Sequence, residues 1–349
     1  MWQKSMPHFD RTGQTGNIER GRNRMIDVHN IKKKYGKRIN LNDISFTLNK
    51  GEIIGVLGEN GCGKTSLLET ICGIRPADSG EILCDEKPVY DDVAAKEKIA
   101  YVRDEQNYIG QYKGIQLVRL YKKCFEAFDV ERFNAMNEIF HLDLNGYIKK
   151  YSKGQRMCMA FMLAMSRNAD YLVLDEPFGG VDAGKQHVMK ELLIKEMEKR
   201  ELGIILSTHQ VEDLVKLCDR VIFMKNGEIL SMGTIDEITE QMLEKVEATL
   251  TLEQKMTLHE DTDIYIKNIM GSRYMLYQKA PSSMADGDEN INQKRNPKEG
   301  KALTLAQKLD QLAVTGYQKK VVTLEECYYW NTGCMKQIEE LEEGKVSQS

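Results

Sequence analysis

Apolar and polar positions change period along this chain, and the changes mark its elements. From Met25 to Asn49 two strand-like runs appear, the second of which, Ile44-Ser45-Phe46-Thr47-Leu48, alternates at period two. Glu52-Ile53-Ile54-Gly55-Val56-Leu57 is a short apolar strand, and Ser66 to Cys72 reads as a helix closed by Gly73. Glu81-Ile82-Leu83-Cys84 is a further strand. Residues 105–168 turn helical. Ile115, Leu117, Val118, Leu120, Tyr121, Cys124, Phe125 and Phe128 predict one packing face, and Phe133, Met136, Ile139 and Phe140 a second. Arg156 to Ser166 is apolar on nearly every side, as in a buried helix.

Tyr171-Leu172-Val173-Leu174 and Gly203-Ile204-Ile205-Leu206-Ser207 are continuous apolar runs, as strands covered on both faces require, with an amphipathic helix from Val188 to Met197 between them. Val221 to Met224, Asn226-Gly227 and Ile229-Leu230 predict an edge hairpin. Strands alternating with helices predict an α/β fold, a doubly wound core with an antiparallel β edge and a helical subdomain over about 105–168. Periodicity weakens after Gly233. A small α+β C-terminal accessory domain is expected over 233–349, with candidate helices at Thr304 to Val314 and Leu324 to Trp330. A polar, disordered loop is expected over about 280–300. Residues 1–24 hold Lys4, Arg11, Arg20, Arg22 and Arg24 among almost no apolar positions, which predicts a flexible basic tail ahead of a folded unit at 25–232.

Composition narrows the class. The 349 residues are 41% hydrophobic and 29% charged with net charge -4, giving no basic footprint for nucleic acid. Cys62, Cys72, Cys84, Cys124, Cys158, Cys218, Cys327 and Cys334 are scattered without metal spacing, which reads as reduced thiols. No apolar run is long enough to span a bilayer, and Met1 to Met25 lacks the apolar core of a secretory signal.

The chemistry is concentrated after the strand at residues 52–57. Gly58-Glu59-Asn60-Gly61-Cys62-Gly63-Lys64-Thr65, followed by Ser66, is a complete G-x-x-x-x-G-K-[ST] phosphate loop between a strand and a helix. Its glycines let backbone N–H groups face phosphate oxygens, and the helix N-terminus adds partial positive charge. Lys64 can reach the β- and γ-phosphates of a nucleoside triphosphate, and the Thr65 hydroxyl can ligate Mg²⁺. Asp175-Glu176 closes the apolar strand at 171–174. There Asp175 can hold Mg²⁺, and Glu176 can polarise an attacking water as general base. Lys64 and the helix end would favour thiolate at Cys62. A small residue filling a permissive slot is the favoured reading of that cysteine.

Further motifs make a resemblance specific. Tyr151-Ser152-Lys153-Gly154-Gln155 resembles the signature of ATP-binding-cassette ATPases, Gly179-Gly180-Val181-Asp182 resembles their D-loop, and His209 matches their switch histidine. Tyr35 fits their adenine-stacking aromatic. The ordered set spans residues 25 to about 230. It implies a P-loop NTPase cassette that binds and hydrolyses ATP with Mg²⁺, using Lys64, Glu176 and His209. The resemblance also implies a homo- or heterodimer in which Ser152, Gly154 and Gln155 of one subunit complete the neighbour's site, with Asp182 at the seam. Asp104 stands where that family carries its usual glutamine lid residue, with Gln106 two positions on, and as an aspartate it can still bind Mg²⁺ through water, with a charge and a shorter reach that set it apart from the glutamine. Lys153 stands where a second glycine is common. Both departures leave the catalytic groups in place.

The resemblance is to single-cassette exporters of the antibiotic-resistance and lantibiotic-immunity kind. It implies a cytoplasmic subunit, peripheral on the inner face of the membrane, that powers a separate transmembrane permease touching residues 104 to 125. A soluble cassette ATPase acting on ribosomes or nucleic acid is the alternative. The single phosphate loop and the absence of a long coiled-coil insertion weigh against it.

Overall fold

The computed structural model describes residues 25–104, 110–261, 263–280 and 303–332. The expected basic tail, Gln106 and nearly all of the expected polar loop lie outside the described residues.

The chain opens with an antiparallel pair, β1 (Met25–Tyr35) and β2 (Arg38–Asn49), and runs through Gly51 into β3 (Ile53–Gly58). α1 (Lys64–Ile71) follows the glycine loop, then β4 (Ser79–Cys84), β5 (Lys87–Pro88), α2 (Val93–Glu97) and β6 (Ile99–Val102). The helical stretch contributes α3 (Gly114–Cys124), α4 (Val130–Phe140) and α5 (Lys153–Met165). β7 (Tyr171–Asp175), α6 (Ala183–Lys199), β8 (Gly203–Thr208), α7 (Val211–Leu217), β9 (Arg220–Lys225) and β10 (Glu228–Gly233) then complete the two nearest sheets.

One sheet has the order β2-β1-β4-β5 and is antiparallel. The other has the order β10-β9-β3-β8-β7-β6 and is parallel except for β10 at its edge. The expected hairpin is β9–β10. Asn226 (φ 50°) and Gly227 (φ 82°) both sit in the left-handed region, as a two-residue turn matching strand twist demands.

The parallel sheet is buried on both faces, and period-two alternation sorts its side chains. Ile53, Leu57, Leu172, Leu174, Ile204 and Leu206 face a core shared with α3, α4 and α5. Ile54, Val56, Val173 and Ile205 face a second core shared with α1 and the antiparallel sheet. In α3 the inward stripe is Leu117, Val118 and Tyr121. Leu120 (43% exposed) and Cys124 lie outside it, contrary to the expected face, because they flank the helical stripe. Ile139 of α4 is exposed for the same reason.

Beyond Gly233 come α8 (Ile235–Met242), β11 (Leu243–Thr249), α9 (Leu252–His259), β12 (Ile264–Met270), β13 (Arg273–Lys279), α10 (Leu305–Gln311), β14 (Gln318–Lys319) and α11 (Leu324–Thr332). Their strands form an antiparallel sheet of order β12-β13-β11-β14. Val246, Leu258, Leu276, Leu305 and Leu309 give it a core of its own. Ile238, Leu324 and Cys327 instead belong to the first core of the parallel sheet. No helix among the described residues is long and apolar enough to cross a membrane.

Candidate active site

β3, β8, β7 and β6 are neighbours and parallel, so the residues that follow each strand collect at one edge of the sheet. After β3 comes the glycine loop. Gly61 and Gly63 take positive φ, and a Cβ at Gly63 would lie 2.7 Å from the Asn40 carbonyl oxygen, so the close turn requires glycine there. Lys64 opens α1 with its side chain buried, and its ammonium donates to the carbonyls of Gly58 (2.6 Å) and Glu59 (3.2 Å). The same ammonium lies 3.7 Å from Glu176 Oε1.

Asp175 ends β7 opposite Ser207 of β8, whose hydroxyl donates to Asp175 Oδ1 at 2.6 Å. Its Oδ2 is buried without a well-formed hydrogen bond. Burial raises the carboxyl's pKa, the hydroxyls of Ser207 and Thr65 pull it back, and the charges of Glu176 and Asp104 push it up again. A buried carboxylate with a spare oxygen, held against a threonine hydroxyl and repelled by two acids, has the chemistry of a cation ligand. Mg²⁺ binds through one or two carboxylates together with phosphates and waters, so Thr65 and Asp175 fit it.

Glu176 follows at φ 48°, a left-handed conformation uncommon for a residue with a Cβ, its N–H held by Ser207 Oγ at 3.1 Å. That backbone turns its carboxylate between Lys64 and His209, whose Nδ1 is 2.8 Å away. His209 follows β8 and is half exposed. A base beside a cation, with a histidine at its outer edge, can orient and deprotonate a water next to a phosphate.

Lys64 and Glu176 border a cavity of about 500 Å³, whose lining also includes Tyr35, Asn60, Thr65 and Asp104, while Gly58, Glu59, Asp175 and His209 lie outside that lining. Gly61, Gly63 and Ser66 also line it. Cys62 does not, and its side chain is buried. Burial pushes its thiol pKa up against the pull of Lys64, which goes with the small-residue reading and against the thiolate: desolvation outweighs the nearby ammonium. Tyr35 ends β1 at the cavity mouth with its ring part exposed.

Sequence reasoning missed a cationic rim. Arg38, Arg75 and Arg103 line the cavity. The Arg75 guanidinium lies 5.5 Å from the Tyr35 ring centroid, and both Arg75 and Arg103 pair with Glu69, a buried acid of α1. Glu69 stands four residues after Thr65, the spacing of one helical face, which is the signal that could have drawn it in.

Ser152, Gly154, Gln155 and Asp182 lie outside the lining. Ser152 caps α5, its Oγ accepting from Gln155 N–H at 3.1 Å while the Gln155 side chain accepts from Ser152 N–H at 2.9 Å. Gln155 is therefore spent on the cap within this chain. A Cβ at Gly154 would lie 2.4 Å from the Gly180 carbonyl oxygen, so packing alone demands glycine. Asp182 caps α6 through Lys185 N–H at 3.0 Å.

The profile of the ABC transporter family matches residues 41–179. An ABC transporter ATP-binding protein of Methanocaldococcus jannaschii, itself uncharacterised, is 32% identical over 62% of this chain and 80% of its own length. The lipopolysaccharide export ATP-binding protein LptB of Escherichia coli is 30% identical over 61% of this chain and 92% of its own. A sulfate/thiosulfate import ATP-binding protein of Nitrosomonas europaea is 30% identical over 62% of each. Among solved structures, an ATP-binding subunit of an ABC transporter superposes with a TM-score of 0.58 at 25% identity, over 62% of this chain and 92% of that one. Glycine loop, buried aspartate, strained glutamate and histidine thus stand on a fold and sequence shared with these subunits, and the chain belongs to the ABC transporter family as an ATP-binding, ATP-hydrolysing subunit.

Proposed function

We propose that this subunit powers export through a separate transmembrane permease at the inner face of the membrane, and that it works as a dimer of cassettes with ATP and Mg²⁺ between them. The observation that carries the catalytic part is the Lys64–Glu176–His209 cluster above Asp175, at the edge where four parallel strands end. Lys64 holds the β- and γ-phosphates, and Tyr35 stacks on adenine with Arg75 behind its ring. Thr65 and Asp175 would hold Mg²⁺, which when bound would supply charge neutralisation at the transferred phosphoryl group. Glu176 takes the proton of the attacking water, and His209 steadies the Glu176 carboxylate. Ser152 and Gly154 present the N-terminus of α5, an anion-favouring helix end, to the neighbouring cassette's γ-phosphate.

One feature supports export: the residues Tyr151 to Gln155 with Thr323-Leu324-Glu325-Glu326 resemble small exporters, whereas an export and an import subunit match this chain at the same 30% identity over 226 residues. Glu176→Gln tests the mechanism. The variant is expected to bind ATP, accumulate as a nucleotide-bound dimer on size-exclusion chromatography, and lose about a hundredfold or more in turnover, within the range of a removed general base. Brisk turnover by that variant would remove the role given to Glu176. Affinity capture from membranes tests the partner: a multi-span protein is expected with it, and ribosomes or DNA in its place would favour the soluble alternative.

A further inference from the structure

The two positions at which this chain departs from the pattern it resembles meet in space. Lys153 Nζ lies 2.7 Å from Asp104 Oδ1. Lys153 is the first residue of α5, and its stem crosses the turn after β7. A Cβ built on Gly180 would lie 3.2 Å from Lys153 Cδ, and one built on Gly179 would lie 3.9 Å from its Nζ and 4.0 Å from Asp104 Oδ1. One side chain thus ties together the carboxyl end of β6, the Gly179–Gly180 turn and the N-terminus of α5.

Asp104 also lines the nucleotide cavity with Thr65 and Glu176, and its charge is felt at Asp175. Its Oδ1 is buried without a well-formed hydrogen bond, so the Lys153 ammonium beside it acts as a counter-charge and leaves the oxygen's hydrogen-bonding capacity unspent. A glutamine at this position would bring no charge to hold a lysine, and a glycine at 153 would bring no ammonium. The pair has meaning only together.

A carboxylate so placed faces two cations, the ammonium already beside it and any divalent ion that enters the cavity with a polyphosphate. The first contact is weak, because Lys153 is 51% and Asp104 34% exposed, and exposed ion pairs contribute little. The second is a doubly charged ion with a strong demand for carboxylate oxygen. We propose that Lys153 is a positioning residue for Asp104 and that the pair is an exchangeable latch: the Mg²⁺ that accompanies ATP competes with the Lys153 ammonium for the Asp104 carboxylate, so that filling the cavity frees the start of α5 and the Gly179–Gly180 turn together. This rests on the Mg²⁺ reading of the site given above.

Binding of a fluorescent, non-hydrolysable ATP analogue, titrated with Mg²⁺, tests it without turnover. Lys153→Met is expected to lower the Mg²⁺ concentration at half-saturation by about two- to fivefold, the range an exposed ion pair carries. Lys153→Arg, which keeps the pair, should leave it unchanged. In the Asp104→Asn background, Lys153→Met should have no further effect. If Lys153→Met does not fold, Lys153→Gln replaces it in the same comparison. Mg²⁺-dependent binding with no shift in Lys153→Met, an equal shift with and without Asp104→Asn, or a Lys153→Arg shift as large as that of Lys153→Met would each overturn the latch alone. Analogue binding that is indifferent to Mg²⁺ in the unaltered protein would remove the metal reading and the latch with it.

Discussion

Single residues at the site show where environment overrides type. Cys62 has an ammonium two positions away and a helix end beside it, yet its side chain faces Gly58 and the interior, and desolvation wins. Cys124 is exposed at the end of α3. Brief maleimide treatment near neutral pH, read by peptide mass mapping, should therefore label Cys124 well ahead of Cys62, with or without ATP; equal rates would restore the thiolate reading. The residues legible in advance were those whose motif fixes backbone shape, namely the glycine loop and the Asp175-Glu176 pair after an apolar strand. Arg75 and Arg103 were not legible, because they reach the cavity from a loop and a strand end that no spacing links to the motif, whereas Glu69 carried the one signal of standing a helical turn after Thr65. The strain at Glu176 was equally hidden, since nothing in an acid's identity announces a left-handed φ.

Among elements, the buried strands of the parallel sheet could be read because continuous apolar runs have few other uses, whereas the strands after Gly233 could not. In β11 the buried Val246 and Ala248 alternate with Lys245 and Glu247, whose charges are spent on Glu326, Arg273 and Lys320, so burial is masked by paired ions. A similar pairing locks α4 to α6. Glu196 of α6 is buried and accepts from Arg132 of α4 and from Arg200. Burial alone would raise its pKa, but the two guanidinium groups outweigh it and hold it below the ordinary carboxylate range. A depressed acid stabilises the fold above its unfolded pKa of about 4.3, and that contribution fades as pH falls through the lower folded value. Glu196→Ala should cost about 2 kcal/mol near neutral pH, on the scale of hydrogen bonds to a charged group. The deficit should shrink below about pH 4, as read from denaturant midpoints across pH. A deficit that stays constant to pH 3 would show that packing, and not the charge, sets the cost.

Across the whole molecule, the segment after Gly233 contributes to two cores. Its sheet closes on Leu305 and Leu309 of α10, while α11 sends Leu324 and Cys327 into the core that also holds Phe223 and Leu217. Tyr328 of α11 meets Phe223 edge-on at 6.4 Å between ring centroids, and the Lys225 ammonium donates to the Asn331 carbonyl at 2.7 Å. Leu57 and Glu59, at the start of the phosphate loop, border the same small gap as Tyr328 and Asn331. The last described helix therefore backs the strands that carry the nucleotide loop, while most of the buried side chains of the sheet before it close on a core of their own. Leu324 and Leu309 are both fully enclosed leucines, so Leu324→Ala and Leu309→Ala remove the same atoms and should each cost about 2–5 kcal/mol of local stability. Their effects on the site should differ. Leu324→Ala loosens the packing behind β9 and β3 and should weaken ATP binding several-fold, while Leu309→Ala should leave ATP affinity unchanged. Titration calorimetry with ATP on the two variants decides it. An equal loss of affinity in both would show that the accessory sheet and the nucleotide core unfold as one cooperative unit, and no loss in either would show that α11 bears no load behind the loop.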